Sequence, residues 1–402
     1  MKNEQNAPKI RFKGFTDAWE LRKLHDLFTE RNEQYPTSND YPLMAFIANV
    51  GVASKGERYD RSALVKDEEG KKYKRTEKGD FIYSSNNLET GSIGLNNYGN
   101  ACISPVYSVF KSKHNADADF LGRILLRKEF IHQMVQYRQG VVYGQWRIHE
   151  SDFLNLGICV PPLAEQRQIG AYFRTLDHLI TLHQRKCETL QKLKKSMLQK
   201  MFPKNGSYFP EIRFAGFTDA WEQRKFSDFT FPAGERNKDD LDLEPFAITS
   251  NQGFIAQSEA HDDFGYMKDV DRKMYIVVKP NSFAYNPARI NVGSLGYYEG
   301  AENVIVSSLY EVFQTAEYVD DKFLKHWFKT KAFHDWIERL QEGSVRLYFY
   351  YDKLCECIMS MPSVEEQRKI GAYLDKIDNL ITLHQRKQKK PFLSYNNHNI
   401  QA

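Results

Sequence analysis

The fold of this chain is decided by VPPLAEQRQIGAYFRTLDHLITLHQRK, residues 160–186, which returns as MPSVEEQRKIGAYLDKIDNLITLHQRK at residues 361–387 with 17 of 27 positions identical. A second stretch is copied too: KIRFKGFTDAWELRKL (9–24) returns as EIRFAGFTDAWEQRKF (211–226), with 12 of 16 positions identical. The copies lie about two hundred residues apart, so the repeating unit is the size of a domain and not of a solenoid repeat. The 402 residues therefore contain a duplicated module, with enough chain for two separate cores.

The first copied segment leads into a long helix. From Leu163 onward apolar residues recur every seven positions, as in a coiled coil. We predict a helix from about Leu163 to Met201, roughly 58 Å long at about 1.5 Å per residue. Pro203 and the Asn205-Gly206 turn stop it. The predicted seam of the two copied helices comprises Ile169, Phe173, Leu176, Ile180, His183, Leu190, Met197, Ile370, Leu374, Ile377, Ile381 and His384.

Two helices with matching seams can bury them by packing against each other. The globular segment between them brings the chain back, which favours an antiparallel pair. The alternative is that each helix packs only on its own domain, as an ordinary core element. In the second copy Pro391 ends the helix early, and the polar residues that follow form a tail.

The divergent segments between the copies show β-like runs and helical runs. Short strands are bounded by turn residues, and helices are predicted at Phe120–Tyr137 and Phe323–Leu340. The predicted fold class is α+β, with two mixed α/β domains separated by two long copied helices that form an antiparallel spacer with pseudo-two-fold symmetry. The predicted boundaries are a first variable module at 1–160, a central copied helix at 161–204, a second variable module at 205–361, a distal copied helix at 362–390 and a polar tail at 391–402.

Several catalytic chemistries have no motif here. Gly51–Gly56 has the glycine spacing of a P-loop but continues with Glu57 instead of lysine, and no GxGxxG or HExxH occurs. Cys355 and Cys357 lack a second ligand pair, so no metal site is predicted. Five cysteines without CxxC spacing, and no signal peptide or long apolar run, predict a reduced, cytoplasmic protein.

Polar side chains that could contact DNA cluster at predicted turns. The formal net charge of +4 is only mildly basic, so a nucleic-acid surface has to be local. Arginine pairs well with guanine, asparagine and glutamine pair with adenine, and lysines contact phosphates. We expect Trp146 to be a packing anchor and not a base-stacking platform. The candidate DNA-binding residues are Lys55, Arg58, Arg61, Lys72, Lys74, Arg75, Asn86, Asn87, Gln145, Arg147, Asn251, Gln252, Arg289, Asn291, Arg346, Tyr348 and Tyr351.

The order of these segments resembles the specificity (S) subunit of type I restriction-modification enzymes. The resemblance covers nearly the whole chain, and its most specific parts are Arg213–Glu222, Glu165–Lys186 and Glu366–Lys387. It implies a non-catalytic DNA reader in which each variable segment is a target recognition domain for one half of a split DNA site. The helices would set the spacing between the halves.

The resemblance also implies partners and cofactors. Two methyltransferase (M) subunits would bind the copied segments and modify adenines with S-adenosylmethionine, and two motor-nuclease (R) subunits would complete the restriction form with ATP and Mg²⁺. No cofactor would belong to this chain. Two alternatives stay open: a stand-alone DNA methyltransferase or nuclease with an unrecognised site, and a protein-binding adaptor.

The second copy departs from the family pattern after Lys387, where QKKPFLSYNNHNIQA replaces the helical continuation that follows Lys186. We therefore expect the seam beyond about Leu190 to lack a full partner, which would loosen the spacer or leave one partner-binding surface incomplete.

Overall fold

The fold was determined as a computed structural model that describes residues 8–54, 71–141, 145–204, 207–250, 253–260, 272–389 and 400–401. The chain divides into two compact units. The first comprises residues 1–181 and 390–402, and the second comprises residues 182–389. The boundary falls inside one long helix.

The first module, residues 8–160, alternates short strands and short helices. Its elements are β1 (Arg11–Phe12), β2 (Glu20–Lys23), α1 (Leu24–Leu27), β3 (Phe28–Glu30), β4 (Gln34–Tyr35), β5 (Ala45–Ile47), β6 (Gly51–Ala53), β7 (Tyr73–Thr76), β8 (Phe81–Tyr83), β9 (Ile93–Leu95), β10 (Ala101–Ile103), β11 (Ser108–Ser112), α2 (Ala118–Leu125), α3 (Lys128–Val135), β12 (Gln139–Val141), β13 (Gln145–Arg147), α4 (Glu150–Asn155) and β14 (Gly157–Val160). Helix α5 (Leu163–Lys200) follows.

Antiparallel pairing organises this module into two main sheets. One has the strand order β3-β11-β8-β9 and the other β10-β7-β4. Strand β2 pairs with β14, so the two ends of the module are fastened together just before α5 begins. The core beneath the larger sheet is aromatic: Phe110 and Phe153 lie 4.4 Å apart between ring centroids, and Phe81 stacks on Phe153 at 5.8 Å.

The second module, residues 207–361, repeats this plan. Its elements are β15 (Glu222–Lys225), β16 (Thr230–Pro232), β17 (Glu235–Arg236), β18 (Phe246–Thr249), β19 (Gly253–Ala256), α6 (Gln257–Ala260), β20 (Ile276–Val278), β21 (Ser282–Tyr285), β22 (Leu295–Tyr298), β23 (Val304–Val306), β24 (Glu311–Thr315), α7 (Asp321–Trp327), α8 (Lys331–Leu340), α9 (Tyr351–Glu356) and β25 (Ile358–Met361). Single-turn 3-10 helices lie at Phe226–Asp228, Arg272–Met274 and Ile290–Val292. Helix α10 (Val364–Lys389) follows, and the last strand is β26 (Ile400–Gln401), which pairs with β1.

The sheets of the second module match those of the first strand by strand. The orders β16-β24-β21-β22 and β17-β20-β23 correspond to the two sheets of the first module, and β15 pairs with β25 as β2 pairs with β14. The predicted mixed α/β class of the two modules and the long helix after each are thus confirmed. Both long helices lie close to their predicted bounds.

The predicted helices at Phe120–Tyr137 and Phe323–Leu340 are wrong as single elements. Each is a pair of shorter helices, because the backbone becomes extended at Arg127 in the first module and at Thr330 in the second. The break lets both helices of a pair turn an apolar face to the core: Phe120 and Phe130 are buried in one pair, and Phe323 and Phe333 in the other.

The copied segments form one set of contacts that occurs in each module and that we call the frame. The guanidinium of Arg11 makes two hydrogen bonds to the buried carboxylate of Glu165, at 2.9 and 2.6 Å. Arg213 holds Glu366 in the same way, at 2.9 and 2.7 Å. Further along each long helix, a glycine packs against the start of an earlier helix of its own module, α2 in the first and α7 in the second.

That glycine is Gly170 in the first unit and Gly371 in the second. A Cβ on Gly170 would overlap the carboxylate of Asp117, and one on Gly371 would lie 2.7 Å from that of Asp320. Both aspartates cap a helix, accepting a hydrogen bond from the backbone N–H of Phe120 or Phe323. Glycine therefore permits the close approach of each long helix to its own module.

Within the second unit, the end of α5 packs antiparallel on α10. The Nδ1 atoms of His183 and His384 lie 2.9 Å apart, the Cys187 thiol contacts the carbonyl of Ile381 at 3.7 Å, and Lys194 reaches Asp378. Contacts shift toward the start of α10 as α5 advances, which defines an antiparallel pair. His183 and His384 occupy equivalent positions of the repeat, so the two helices are related by a local two-fold axis at this point.

The expectation that the seam beyond Leu190 lacks a full partner is wrong. In an antiparallel pair the last turns of α5 face the first turns of α10. The end of α10 lies against an earlier part of α5, so a short α10 does not uncover Leu190. Leu190 is 7% exposed and shares one core with Ile370, Leu374 and Ile377. The remaining seam residues of this unit, Met197 and Ile381, pack against the same core.

The seam residues of α5 in the first unit also contact their own module. Ile169 packs against the aromatic core of the first module, and the guanidinium of Arg123 lies 5.5 Å from the ring centroid of Phe173. Leu176 is buried and Ile180 is half-buried. The alternative that each long helix packs on its own domain thus describes a real contact, which in the second unit accompanies helix pairing.

Among the helices that the structure describes, none has both the length and the apolar character needed to cross a lipid bilayer.

Candidate nucleic-acid interface

Three loops of the first module meet at one place, which we call the first tip: residues 48–50, 84–92 and the β12–β13 hairpin. The backbone N–H of Asn49 donates to the carbonyl of Gly91 at 3.0 Å. The N–H of Trp146 donates to Oδ1 of Asn86 at 2.5 Å, and that of Ile148 donates to Oγ of Ser85 at 3.0 Å. Loops that lie far apart in the sequence thereby form one surface.

Gly91 is required where two of these loops touch. Its φ is +96°, which L side chains rarely adopt, and a Cβ at this position would overlap the side chain of Asn49. The equivalent Gly293 has a φ of +88°, and its Cβ would lie 3.1 Å from that of Ser250. Both modules therefore use a glycine to bring the same two loops together.

The second tip comprises Ser250, residues 286–294 and residues 341–350. The N–H of Phe349 donates to the carbonyl of Pro287 at 3.0 Å. Glu342 and Tyr348 exchange two backbone hydrogen bonds of 2.8 Å, which close the loop between them. The rings of Tyr348 and Tyr350 stack with centroids 5.5 Å apart and planes 3° from parallel. The second tip thus presents aromatic and basic side chains on a loop held at both ends.

The structure brings part of the predicted DNA-binding set together at the first tip. Asn86, Asn87 and Arg147 are exposed there, and the guanidinium of Arg147 lies 3.7 Å from the carboxylate of Glu150. The backbone of Gln145 pairs with Val141 in the hairpin. Lys72 is exposed but precedes β7, outside the tip.

Lys74 and Arg75 of β7 are not free surface cations. Lys74 is 5% exposed, and burial lowers the pKa of its ammonium below the ordinary lysine value. The guanidinium of Arg75 lies between two rings, 4.2 Å from the centroid of Tyr35 and 4.4 Å from that of Tyr41. Cation–π packing of this kind fixes a side chain within its own module, so we leave both residues out of the proposed DNA surface.

At the second tip the structure exposes Arg289, Asn291 and Arg346, and half-buries Tyr348. Tyr351 lies beneath them: its hydroxyl is 3.0 Å from Oγ1 of Thr230, and its burial raises the pKa of the phenol. Tyr351 therefore supports the loop from inside. The remaining candidates, Lys55, Arg58, Arg61, Asn251 and Gln252, lie outside the described residues.

Sequence reasoning missed exposed aromatic and apolar residues at both tips. Trp146 is 49% exposed, so the expectation that it is a packing anchor is wrong. Val345 is almost fully exposed, and Tyr350 is 47% exposed. In the sequence Trp146 stands between the polar residues Gln145 and Arg147, a pattern compatible with either a buried or an open face, and only the fold shows that Trp146 is exposed.

Three potential metal ligands gather at His326, Asp375 and Asp378 within the described part of the second unit, all within 4.8 Å of one another. Both carboxylates already have cationic partners. Lys325 Nζ lies 2.9 Å from Asp375, and Lys194 Nζ lies 2.5 and 2.6 Å from the two oxygens of Asp378. This group is built as an ion-pair network, and the absence of a metal site stays a prediction.

Comparison with known proteins places these features in a family. The family described as "Type I restriction modification DNA specificity domain" matches residues 16–192 and 257–390. The MjaVIII specificity subunit of a type I restriction enzyme from Methanocaldococcus jannaschii is 22% identical over 96% of this chain and 92% of its own length. A putative MjaX specificity subunit from the same organism is 26% identical over 50% of this chain and 49% of its own.

A solved structure has the same fold. The type I restriction-modification S subunit from M. genitalium superposes with a TM-score of 0.59 at 12% identity, covering 96% of each chain. Specificity subunits are the non-catalytic DNA-recognition subunits of these systems, and they work with DNA and with M and R subunits. Because the family match covers residues 16–192 and 257–390, which is well over half of the chain, this chain belongs to the type I restriction-modification DNA specificity family.

Proposed function

We propose that each tip reads one half of a bipartite DNA target. The observation that carries this proposal is the contrast between copied supports and unlike surfaces. In both modules a glycine turn joins the same loops, but Asn86, Asn87 and Arg147 occupy the first tip where Arg289 and Arg346 occupy the second. Two readers with different side chains on one scaffold suit an asymmetric target.

The chemistry of the tips suits the major groove. Asparagine can donate to and accept from an adenine edge, and arginine can donate twice to a guanine edge. Arg289 and Arg346 favour guanine contacts at the second tip, and Asn86 with Asn87 favours adenine contacts at the first. Because Oδ1 of Asn86 already accepts from Trp146, whereas the side chain of Asn87 has no hydrogen-bond partner among the described residues, Asn87 is the better reader of the two.

The helix pair would set the distance between the two half-sites. Helix α5 is continuous over 38 residues, and its second half is held on α10 by the histidine contact and by a shared apolar core. Rigid readers engage one face of the duplex when their half-sites lie about one helical turn apart, roughly 34–36 Å. Spacer preference would then follow helix length.

The proposal extends to the partner subunits of the restriction-modification complex. The frame contacts of Arg11–Glu165 recur at Arg213–Glu366, so two identical methyltransferase subunits could bind equivalent surfaces. They would methylate one adenine in each half-site with S-adenosylmethionine, and two motor-nuclease subunits would bring ATP and Mg²⁺ for restriction. This chain would supply no cofactor. Its five free cysteines suit the reducing cytoplasm.

The two-reader proposal is tested by half-site methylation of the reconstituted complex. If Asn87 and Arg289 each read a base, Asn87→Ala and Arg289→Ala will each weaken binding of cognate DNA by about 1–3 kcal/mol. Each will relax recognition in one half-site only, and the two will affect different halves. Lys72→Ala is the matched control, with a weak effect that does not depend on sequence. Equal loss at both half-sites from either variant would contradict the proposal.

The spacer proposal needs a separate experiment. Four residues are deleted from α5 and four from α10, symmetrically about the His183–His384 contact, which removes about one turn from each helix. We expect the tolerated spacing between half-sites to change while both half-sequences stay the same. An unchanged spacing in a folded variant would exclude the helix pair as the ruler.

A further inference from the structure

The two modules dock on their long helices through faces that are copied almost residue for residue. In the first unit, Oε1 of Gln166 accepts from the N–H of Asp117 at 3.0 Å. In the second, Gln367 accepts from Asp320 at 2.9 Å. With the same glycine and the same arginine–glutamate bridge in both, these contacts cannot distinguish one module from the other.

One pair of positions breaks the repetition by reversing its charges. In the first unit Arg174 of α5 pairs with Asp119 of α2. At the equivalent positions of the second unit, Asp375 of α10 pairs with Lys322 of α7, at 3.7 Å. The helix residue changes from cation to anion, and the module residue changes in the opposite sense. Each pair is therefore attractive only in its own unit.

We propose that this reversed pair is a charge key that assigns each module to its own long helix and rejects the other. The key is needed because the two helices are near copies, so a module folding beside both could dock on either. Its effect is electrostatic and local, since it acts between side chains that are in contact in the correct arrangement.

The key discriminates more strongly in the second unit. Besides Lys322, Asp375 contacts Lys325 and the buried His326, each at 2.9 Å. Although burial opposes it, hydrogen bonds from His326 and Lys325 hold the pKa of Asp375 well below its usual range. If the second module met α5 instead, Arg174 would face two lysines and leave His326 without its acceptor. Cations facing one another in a partly buried site strongly disfavour docking.

Docking of the first module on α10 is disfavoured less strongly. If the first module met α10, Asp119 would face Asp375, but Arg123 occupies the position of His326 and could still pair with an aspartate of α10. In its own unit Arg123 pairs with Asp177, whose equivalent in α10 is Asp378. The Arg174–Asp119 pair is also more exposed, with 65% of the arginine side chain accessible. The discriminating residue is therefore Asp375.

The test changes α10 to resemble α5 at this one position. Asp375→Arg in the full chain should lower Tm by about 6–20 °C, as expected for breaking a buried pair in a unit of this size. Asp375→Asn removes the attraction without adding repulsion and should cost half of that or less. If both variants lose the same amount, repulsion is not what discriminates, and the key is excluded.

Compensating substitutions in the second module distinguish a charge key from a merely structural role of Asp375. Adding Lys322→Asp and Lys325→Ala to Asp375→Arg recreates the charges of the first unit and should recover at least half of the lost Tm. The same two module substitutions on the unchanged helix should lower Tm instead. The penalty of Asp375→Arg should also shrink in about 1 M salt, where the screening length is about 3 Å. Failure of the module substitutions to recover Tm in low salt would overturn the proposal.

Discussion

The frame and the tips of this chain differ in what the duplication has kept. In the frame, Arg11–Glu165 and Arg213–Glu366 have the same geometry to within about a tenth of an ångström in each of two hydrogen bonds. At the tips, the loops meet in the same way but carry different side chains: Trp146 and Arg147 in the first, Arg346 and Tyr350 in the second. Contacts are repeated where support is needed, and side chains differ where a ligand would be met.

This difference indicates that stability and specificity are separated in the molecule. Frame residues are buried and paired, so their loss should damage folding equally in either copy. Tip residues are exposed and few of them contribute to a core, so their loss should leave folding intact and affect one half of the target. Each of the following predictions would break or sharpen that separation.

The largest effect is expected in the frame. Arg213→Ala leaves the carboxylate of Glu366, which is 1% exposed, without its partner, and Arg11→Ala does the same to Glu165. Removing one member of a buried pair costs about 3–5 kcal/mol of unfolding free energy. Urea unfolding should show nearly equal losses for the two variants. Arg22→Ala, which breaks an exposed pair with Glu20, is the control and should cost less than about 1 kcal/mol.

A clearly unequal response of Arg11→Ala and Arg213→Ala would show that the two frames do not support their modules alike.

An intermediate effect is expected from Gly91 and Gly293, the glycines that join the loops of the two tips. Gly91→Ala and Gly293→Ala place a Cβ on residues with positive φ and against a neighbouring loop, which costs about 1–3 kcal/mol. Each should weaken DNA binding through one half-site only, because the distorted loops belong to one tip. Gly140→Ala is the control, since among the described residues its Cβ would meet only Trp146, at 3.9 Å. Loss of both half-site preferences from one substitution would contradict two independent tips.

The smallest effect is expected in how the stability of the folded chain depends on pH through the His183–His384 contact. Burial, the facing His183, and Lys387 and Lys186 all lower the pKa of His384. The unfolded chain, with an ordinary histidine pKa of about 6.5, then binds protons more readily than the folded chain. This contribution to stability is complete above about pH 6.5 and is lost as the pH falls below it.

Urea midpoints at about pH 7.5 and pH 5.5 measure this effect. His384→Gln should reduce the loss of stability on acidification but not abolish it, because burial also lowers the pKa of His326, although the hydrogen bond that His326 donates to Asp375 opposes this lowering. His326→Gln is therefore the matched variant. If His384→Gln leaves the acid loss unchanged, the histidine contact does not couple the helix pair to pH.

Much of the fold could be predicted because its signals are local or repeated. The seven-residue spacing after Leu163 and the stop at Pro203 predict α5 to within one residue at its end, since helix periodicity and helix breakers act over a few residues. Helix breaks at Arg127 and Thr330 were not predictable in this way. They are imposed by the core, to which both halves must turn their phenylalanines.

The candidate site was predicted by residue type but not by accessibility. Asn87 and Arg289 are polar residues at turns, and the structure exposes both. Lys74 and Tyr351 are equally plausible in the sequence, yet Lys74 is buried within β7 and the hydroxyl of Tyr351 lies within hydrogen-bond distance of Thr230. Burial depends on which distant strand or helix packs on a residue, and a single sequence does not contain that partner's position.

By itself, the sequence determined that this protein is a duplicated module with two long seamed helices, because copied segments and heptad spacing are properties of residue order alone. Only the tertiary structure decided that the end of α5 is covered by the start of α10, that three loops form each tip, and that Arg174 and Asp375 meet opposite charges in their modules. These features depend on contacts between residues far apart in the chain, and the free energy of such contacts depends on direction, burial and the charge of the partner.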